Sequence, residues 1–179
     1  LEWNGSIVMI VSTNAGLWAY NVGDTVQFTS TAPYKVVVSG RIKHFISAFG
    51  EHVIAKEVEQ ALQTAVAQTD ALVNEFTVAP QTSPEQGALP YHEWFIEFER
   101  LPSNLAAFAQ IIEERMQAQN SYYYDLIAGR VLQPLRITPV KAGGFRAYMK
   151  SIGKLGGQNK VQRLANDRKL AEGLQAFTG

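Results

Sequence analysis

The segment that decides the fold runs from Ser39 to Leu62 and reads SGRIKHFISAFGEHVIAKEVEQAL. It begins as the end of a β-strand, and after Gly50 its apolar residues recur with the spacing of an α-helix. The apolar stripe comprises Val53, Ile54, Val58, Ala61, Leu62 and Val66. We expect Gly50 to adopt a positive φ just before this helix, because glycine enters that region without steric cost. The basic pair Arg41 and Lys43 belongs either to a plain surface turn or to a hinge between two parts of the molecule.

The composition is that of a folded protein without net charge. The chain has 179 residues, of which 46% are apolar, and its 16 basic residues balance its 16 acidic ones. A hydrophobic core is therefore expected, whereas non-specific nucleic-acid binding, which needs a basic surface, is not. There is no cysteine, which excludes disulfides and thiolate metal sites and is compatible with a cytoplasmic location. The apolar runs are too short to span a bilayer, so we expect no membrane partner.

The start of the chain predicts a small antiparallel β-piece. Residues 6–11 (SIVMIV) have the length of a buried strand, and two further strands, TVQFTS and YKVVVSG, flank the turn TAPY. Turn signals occur at Asn14-Ala15-Gly16 and at Gly23-Asp24. Such a piece would hardly bury enough apolar surface to be stable alone.

The rest of the chain predicts an α+β fold, with helices packed on a small antiparallel sheet. After the helix of the opening segment come the strands ALVNEFTVAP and YHEWFIEFE. The second strand alternates, with Trp94, Ile96 and Phe98 on one face and Glu93, Phe95 and Glu97 on the other. Ser103 is the predicted N-cap of a second helix, and NSYYYDLIAG predicts a short helix that ends at Gly129. The prolines of VLQPLRITPV indicate an edge strand, and helices follow in GGFRAYMKSIG and RLANDRKLAEGLQAF.

Two motifs have both an ordinary and a functional interpretation. In YNVGD, the Gly23-Asp24 pair is either a hairpin turn or a place where Asp24 accepts hydrogen bonds from a ribose diol, which suits a carboxylate. In GKLGGQNKVQR, glycines surround Lys160, and Arg163 follows. This stretch is either a solvated basic loop or a mobile loop that brings positive charge to an anion. Its spacing is not that of a Walker phosphate loop.

Other kinds of catalytic site receive no support. The histidines His44, His52 and His92 are scattered and lack the spacing of zinc ligands, so no metal site is expected within the chain. No G-x-S-x-G elbow occurs, so a hydrolase triad is not indicated. The aromatic cluster SYYYD either packs in the core or lines a pocket.

Taken in order along the chain, these motifs resemble the adenylate-forming superfamily of acyl and aryl ligases. There a Gly-Asp turn precedes a segment of the form G-R-x-[DK]-x-x-I-K-x-x-G-x-x-I-x-x-x-E-[IV]-E. The opening segment matches this pattern without a gap at Gly40, Arg41, Ile46, Gly50, Val53, Glu57, Val58 and Glu59. TNAGLWAYNVGDTVQF, GRIKHFISAFGEHV and QNKVQR are similar, more closely, to the auxin-responsive acyl-acid amido synthetases, in particular their bacterial relatives. The resemblance runs from about residue 7 to about residue 170.

The resemblance implies roles for particular residues. Asp24 would bind the ribose hydroxyls of ATP, and Arg41 would contact the same nucleotide near its ribose and phosphates. Lys43 would be the hinge about which a small C-terminal domain swivels between two half-reactions. Lys160 would enter the site during adenylation and stabilise charge on the α-phosphate and carboxylate oxygens. The implied reaction uses ATP and Mg²⁺ to convert a carboxylic acid into an acyl-adenylate, and then passes the acyl group to an amine, such as an amino acid.

The chain departs from the family pattern at a few positions. Ala19 and Asn21 stand where the plant members have arginines, and Ser47 stands where many superfamily members have a lysine. Gln162 replaces the proline of the lysine loop. These differences fit a bacterial branch of the family, and the contacts that the arginines would make to phosphate are lost.

The phosphate loop and acyl pocket of the superfamily do not occur in these residues, and the stretch LEWNGS does not have the n-region or h-region pattern of a signal peptide. We therefore expect residues 1–39 to be the end of a large N-terminal adenylation domain and residues 40–179 to be the mobile C-terminal domain. The partner would be the remaining N-terminal domain of the same protein, and the chain alone would be inactive. Two alternatives stay open: transfer of the acyl group to coenzyme A, and a non-catalytic α+β binding or regulatory module.

Overall fold

A computed structural model describes residues 7–41, 45–84, 87–154 and 160–179. The internal contacts divide the chain into two compact units, Leu1–Phe45 and Ile46–Gly179. Within the part of the chain that the model describes, no helix is long and apolar enough to cross a membrane.

The first unit is a three-stranded antiparallel sheet with the order β1-β2-β3. Its strands are β1 (Ile7–Val11), β2 (Tyr20–Thr31) and β3 (Tyr34–Arg41). The predicted turn between β1 and β2 is confirmed, since the backbone N–H of Thr13 donates to the carbonyl of Leu17 at 2.8 Å.

The predicted turn at Gly23-Asp24 is wrong, because both residues lie inside β2. The pairing with β1 slips here: Val8 pairs with Thr25, whereas Ile10 pairs with Asn21. Gly23 has a φ of 81°. The positive φ therefore serves a bulge within the strand, which bends the strand without ending it.

A short strand pair, whose first strand spans the boundary between the units, precedes the predicted helix of the second unit. The pair is β4 (Phe45–Ile46) and β5 (Val53–Ile54), and α1 spans Ala55–Gln68. Gly50 has a φ of 91°, as predicted. The predicted apolar stripe also faces the core, since the buried residues of α1 are Val58, Ala61, Leu62 and Ala65.

The main sheet of the second unit has the order β6-β7-β8. Its strands are β6 (Leu72–Gln81), β7 (Tyr91–Arg100) and β8 (Arg136–Val140). The α+β class is confirmed, and β8 is an edge strand, as its prolines predict. The sheet is mixed, because β6 and β7 are antiparallel whereas β8 runs parallel to β7. A parallel neighbour needs a long crossover, and α2 (Leu105–Gln119) and α3 (Ser121–Ala128) lie in the connection between β7 and β8.

Both faces of the central strand β7 are covered. Trp94 and Ile96 lie in the larger core with α1 and α2. Phe95 lies in a smaller core with α4 (Gly144–Ser151) and α5 (Lys169–Leu174). The alternation along β7 therefore separates two cores rather than core from solvent. Glu93 and Glu97 are buried as well.

The helices that follow are α2, α3, α4 and α5, and a 3₁₀ turn follows α5. They span Leu105–Gln119, Ser121–Ala128, Gly144–Ser151, Lys169–Leu174 and Gln175–Phe177. The end of α3 at Gly129 is as predicted. The last helix is shorter than RLANDRKLAEGLQAF, because residues 161–165 lie along β6 instead.

Two finer predictions need correction. The N-cap of α2 is Asn104 rather than Ser103, since the Asn104 side chain accepts the Ala107 N–H at 3.0 Å. The SYYYD cluster was expected either to pack in the core or to line a pocket. Tyr123 packs in the core, whereas Tyr122 and Tyr124 are exposed.

Candidate functional site

Two of the candidate residues lie opposite each other in the first unit. Asp24 on β2 and Arg41 on β3 are register partners in the antiparallel ladder. The bulge that carries Asp24 is held by Asn21, whose Oδ1 accepts the Gly23 N–H at 2.8 Å. Asn21 is one of the positions at which the plant members have an arginine, and here it holds the backbone next to Asp24. The ladder thus brings together the backbones of the two residues expected at the nucleotide.

The candidate hinge, Lys43, lies outside the described residues. The boundary between the two compact units falls between Phe45 and Ile46, two positions further along the chain. The hinge therefore stays a prediction.

Lys160 lies in the second unit, and its side chain is exposed. Upstream of Lys160, two backbone hydrogen bonds satisfy carbonyl groups at the C-terminal end of α4. Gly153 N donates to Lys150 O at 3.1 Å, and Lys154 N donates to Met149 O at 2.9 Å. Residues 155–159, which contain the glycines of the predicted loop, lie outside the described part of the chain. The described structure resumes at Lys160.

Downstream of Lys160, residues 161–165 form a segment that we call the strap, which is bound along β6. Val78 N donates to Arg163 O at 3.0 Å, and Ala165 N donates to Val78 O at 3.0 Å. Leu164 is the parallel bridge partner of Val78, and its side chain is fully buried. The strap is thus an extra piece of β-structure on the open edge of the sheet.

Side-chain contacts also bind the strap to β6, and one of them engages Gln162, two residues from Lys160. The hydroxyl of Thr77 donates to the carbonyl of Gln162 at 2.7 Å. Arg163 forms an ion pair with Glu75, and its guanidinium lies 4.6 Å from the centre of the Phe76 ring. Burial lowers the pKa of Arg163, and the charge of Glu59 opposes that shift.

Arg163 is therefore engaged within the protein, and Lys160 is the exposed cation of residues 160–165. The sequence alone could not distinguish the two basic residues. The missing information is the position of Glu75 and Phe76, which lie far from Arg163 along the chain.

A buried polar network holds the Gly50 loop. Oε1 of Glu51 lies 2.8 Å from Nε2 of His92, and Oε2 accepts the Phe49 N–H at 2.8 Å. Asn120 donates from its side chain to the Glu51 carbonyl at 3.1 Å. Burial raises the pKa of Glu51, but the hydrogen bond and charge of His92, together with backbone N–H groups, lower it further, so the net pKa lies below its ordinary value. The loop next to the candidate hinge is therefore fixed to β7 and to the start of α3.

The network continues to Tyr123, which packs on His92 with ring centres 5.2 Å apart. Its hydroxyl donates to Oε2 of Glu113 at 3.0 Å, and that oxygen also accepts the Leu135 N–H at 2.8 Å. Burial, together with the charge of Glu113, raises the pKa of Tyr123 well above its ordinary value. These groups are fully engaged with one another, so we assign them to the structure of the domain rather than to chemistry.

No metal centre is found within the ranges that the structure covers, where no three His, Cys, Asp or Glu side chains are grouped to hold an ion.

Comparison with family models covers most of the chain. Residues 56–169 match the GH3 family C-terminal domain, and residues 1–41 match the GH3 family central domain. The first match alone spans more than half of the 179 residues. The chain belongs to the GH3 family. The resemblance drawn from the motifs is confirmed, and the two matches end and begin within the opening segment, at residues 41 and 56.

Solved structures share the fold of this GH3 chain. It is similar to a structure described as "GH3.15 acyl acid amido synthetase", with 20% identity and a TM-score of 0.74 over 95% of this chain and 33% of that one. It is also similar to "AtGH3.15 acyl acid amido synthetase in complex with 2,4-DB", with 18% identity and a TM-score of 0.72 over 95% of this chain and 32% of that one. The chain thus spans about a third of the length of these structures. No curated protein matches it.

Proposed function

We propose that the complete protein containing this chain is an ATP-dependent acyl-acid amido synthetase. It would adenylate a carboxylic acid and then transfer the acyl group to an amine, with an amino acid as the expected acceptor. Membership of the GH3 family and the shared fold with acyl acid amido synthetases support this proposal. The GH3 chain would supply the mobile C-terminal domain and part of the nucleotide site.

The proposed reaction has two steps. In the first, a carboxylate oxygen of the acid attacks the α-phosphorus of ATP, and pyrophosphate leaves. In the second, the amine nitrogen attacks the acyl carbon, AMP leaves and the nitrogen gives up a proton. Both steps depend mainly on positioning and on neutralising the charge that develops on oxygen.

The proposal assigns a separate task to each candidate residue. Asp24 accepts hydrogen bonds from the ribose hydroxyls, and Arg41 contacts the same nucleotide near its ribose and phosphates. Lys160 stabilises charge on the α-phosphate and carboxylate oxygens during the first step. Mg²⁺ would accompany the ATP phosphates, and we assign none of the described residues to hold it.

The observation that carries the proposal is the environment of Lys160. Its side chain is exposed, while the next cation, Arg163, is paired with Glu75. A lysine that makes no ion pair with any of the described residues keeps its charge available for an anion that arrives from elsewhere. Closure of such a domain would also exclude water from the reacting groups.

The reaction class is tested in the complete protein by carboxylate-dependent exchange of pyrophosphate into ATP. We expect exchange with the correct acid and an amide product once an amino acid is added. A thioester formed only with coenzyme A would contradict the amide assignment. Absence of exchange across a broad panel of carboxylic acids would contradict the ligase itself.

Substitution of Lys160 tests its role. We expect Lys160→Ala to lower the rate of adenylation by roughly a hundredfold or more, the usual effect of removing a group that stabilises developing negative charge. Amide formation from supplied acyl-adenylate should stay largely intact. The matched control is Lys154→Ala, because Lys154 is an exposed lysine six positions before Lys160 along the chain. Equal loss in both half-reactions, or an equal effect of the control, contradicts this role.

A further inference from the structure

The hydrogen bond between Thr77 and the strap holds Gln162, which lies two residues from Lys160 along the chain. We propose that Thr77 is the positioning residue for Lys160: its hydroxyl holds the end of the strap that adjoins the lysine. This inference rests on the proposed function, because it needs Lys160 to act in adenylation.

Thr77 is placed so that it acts only through the strap. Its side chain is fully buried on β6, so it does not reach a substrate. Its hydroxyl donates to the carbonyl of Gln162 at 2.7 Å, the ordinary length of a well-formed bond from an O–H donor. Because a residue spans at most about 3.6 Å, the Cα of Lys160 stays within about 7 Å of the Cα of Gln162. A shift at Gln162 is therefore passed to Lys160 through two peptide units.

The other anchors of the strap lie further from the lysine. The backbone hydrogen bonds to Val78 engage Arg163 and Ala165, and the buried side chain of Leu164 holds the same downstream part. These contacts keep the strap on β6 when the hydroxyl is removed. Loss of the hydroxyl therefore loosens the end next to Lys160 while the downstream part of the strap stays in place.

The inference is tested with Thr77→Val in the complete protein, because valine keeps the shape and removes only the donor. We expect the kcat of adenylation to fall about tenfold, since a misplacement of about 1 Å can cost up to about a hundredfold in rate. The KM for ATP should change less than about twofold, because Lys160 acts on charge that develops during the reaction. Thr77→Ser restores the donor and should return kcat to within about twofold of the wild type.

Thr138→Val is the matched control. The hydroxyl of Thr138 donates to Oε1 of Glu93 at 2.7 Å, so the same group makes a bond of the same length on β8 of the same sheet. Its partner Glu93 pairs with Arg168, downstream of the strap, and within the described ranges the Thr138 hydroxyl bonds to Glu93 and not to residues 161–165. We expect this variant to keep the kcat of adenylation, measured at a temperature where all variants are folded. An equal fall in kcat for both valine variants would mean general loosening of the sheet and would overturn the inference.

Arg163→Met provides a second variant in case Thr77→Val does not fold. Arg163 is only partly buried, and methionine removes its ion pair with Glu75 and its hydrogen bond to the Phe76 carbonyl. We expect the kcat of adenylation to stay within about twofold of the wild type, because the Thr77 hydroxyl still holds Gln162 next to Lys160. A fall of about tenfold in this variant would mean that the Arg163 contacts, and not Thr77, place the lysine, and would overturn the inference.

Lys160→Ala, measured in parallel, separates the inference from the proposed function. If Lys160→Ala leaves adenylation intact, the assigned role of the lysine fails, and the inference falls with it. If Lys160→Ala abolishes adenylation while Thr77→Val keeps the wild-type kcat, only the inference is overturned. A fall in kcat for both, rescued by Thr77→Ser, supports the two together.

Discussion

The carboxylate of Glu51 is fully buried, and its charge is compensated by its partners. Burial raises its pKa, but the hydrogen bond and charge of His92 and the N–H of Phe49 lower it further, so that the net pKa lies below the ordinary value of 4.5. A group whose pKa is lowered by folding stabilises the folded state above its unfolded pKa. That contribution is lost as the pH falls through the folded pKa.

Glu51→Gln should therefore change both the stability and its pH dependence. At about pH 7 we expect the free energy of unfolding to fall by about 1–3 kcal/mol, because a charged acceptor of a buried hydrogen bond is lost. Between about pH 5 and pH 3 the variant should lose less stability than the wild type, because it has no carboxylate to protonate there. Urea unfolding at several pH values, followed by tryptophan fluorescence, to which the buried Trp94 contributes, measures both effects.

Glu114→Gln is the matched control for this prediction. Glu114 is an exposed glutamate on α2 that accepts a hydrogen bond from Gln110 at 2.8 Å. We expect it to change the stability little and to leave the acid limb as in the wild type. Identical acid limbs for wild type and Glu51→Gln would contradict the role of the Glu51 carboxylate.

Residue properties that depend on the local backbone could be predicted from the sequence, and those that depend on distant partners could not. The positive φ of Gly50 follows from its place before an amphipathic helix. Glu51 is held in its buried position by His92 of β7 and by Asn120 at the start of α3. No spacing along the sequence links these residues.

At the scale of elements, the start of α2 shows why helix ends are hard to place to within one residue. Ser103 and Asn104 are both good N-caps, so the sequence does not distinguish between them. The structure uses the Asn104 side chain for the Ala107 N–H, and the Ser103 hydroxyl donates to Asp70 at 2.6 Å instead.

Asn104→Ala should lower the free energy of unfolding by about 1 kcal/mol, because the first turn of α2 loses its side-chain acceptor. Ser103→Ala should cost less, since its partner Asp70 is exposed to solvent, where water replaces the bond. Thermal or urea unfolding of the two variants under the same conditions measures the difference. A larger loss for Ser103→Ala would return the N-cap to the position predicted from the sequence.

The strand β7 shows what alternation can and cannot predict. Alternating apolar and charged residues predict a strand correctly, but they suggest a solvated face where the structure has a second core. The charged residues are tolerated because they are paired: Oε1 of Glu97 accepts the Gly143 N–H at 3.0 Å at the start of α4, and Glu93 pairs with Arg168 at 2.6 Å. Such pairing across the fold is not visible in the strand itself.

At the scale of the whole molecule, the order of the motifs along the chain predicted the family. The sequence of a single element, by contrast, did not predict which distant residues it contacts. Asp24 and Arg41 belong to one compact unit and Lys160 belongs to the other. Neither unit holds all the groups that the proposed reaction needs. A reaction that uses both units requires the segment between them to set their arrangement, which gives the opening segment its importance.

Lys43→Pro tests whether this segment is a hinge. Proline fixes its own φ and restricts the residue before it, so it removes backbone freedom two positions before the boundary between Phe45 and Ile46. We expect one half-reaction to slow by at least about tenfold relative to the other, because one of two arrangements becomes hard to reach.

Lys43→Ala separates backbone freedom from charge, because it removes the ammonium group and keeps φ free. On the hinge hypothesis, the alanine variant retains both half-reactions to within about twofold, and only the proline variant makes them unequal. The measurements are pyrophosphate exchange for adenylation and single-turnover amide formation from supplied acyl-adenylate. Unchanged rates in the proline variant, or an equal loss in both steps, would contradict a hinge at Lys43. A restricted hinge disfavours one of the two arrangements, so it should slow the two half-reactions unequally.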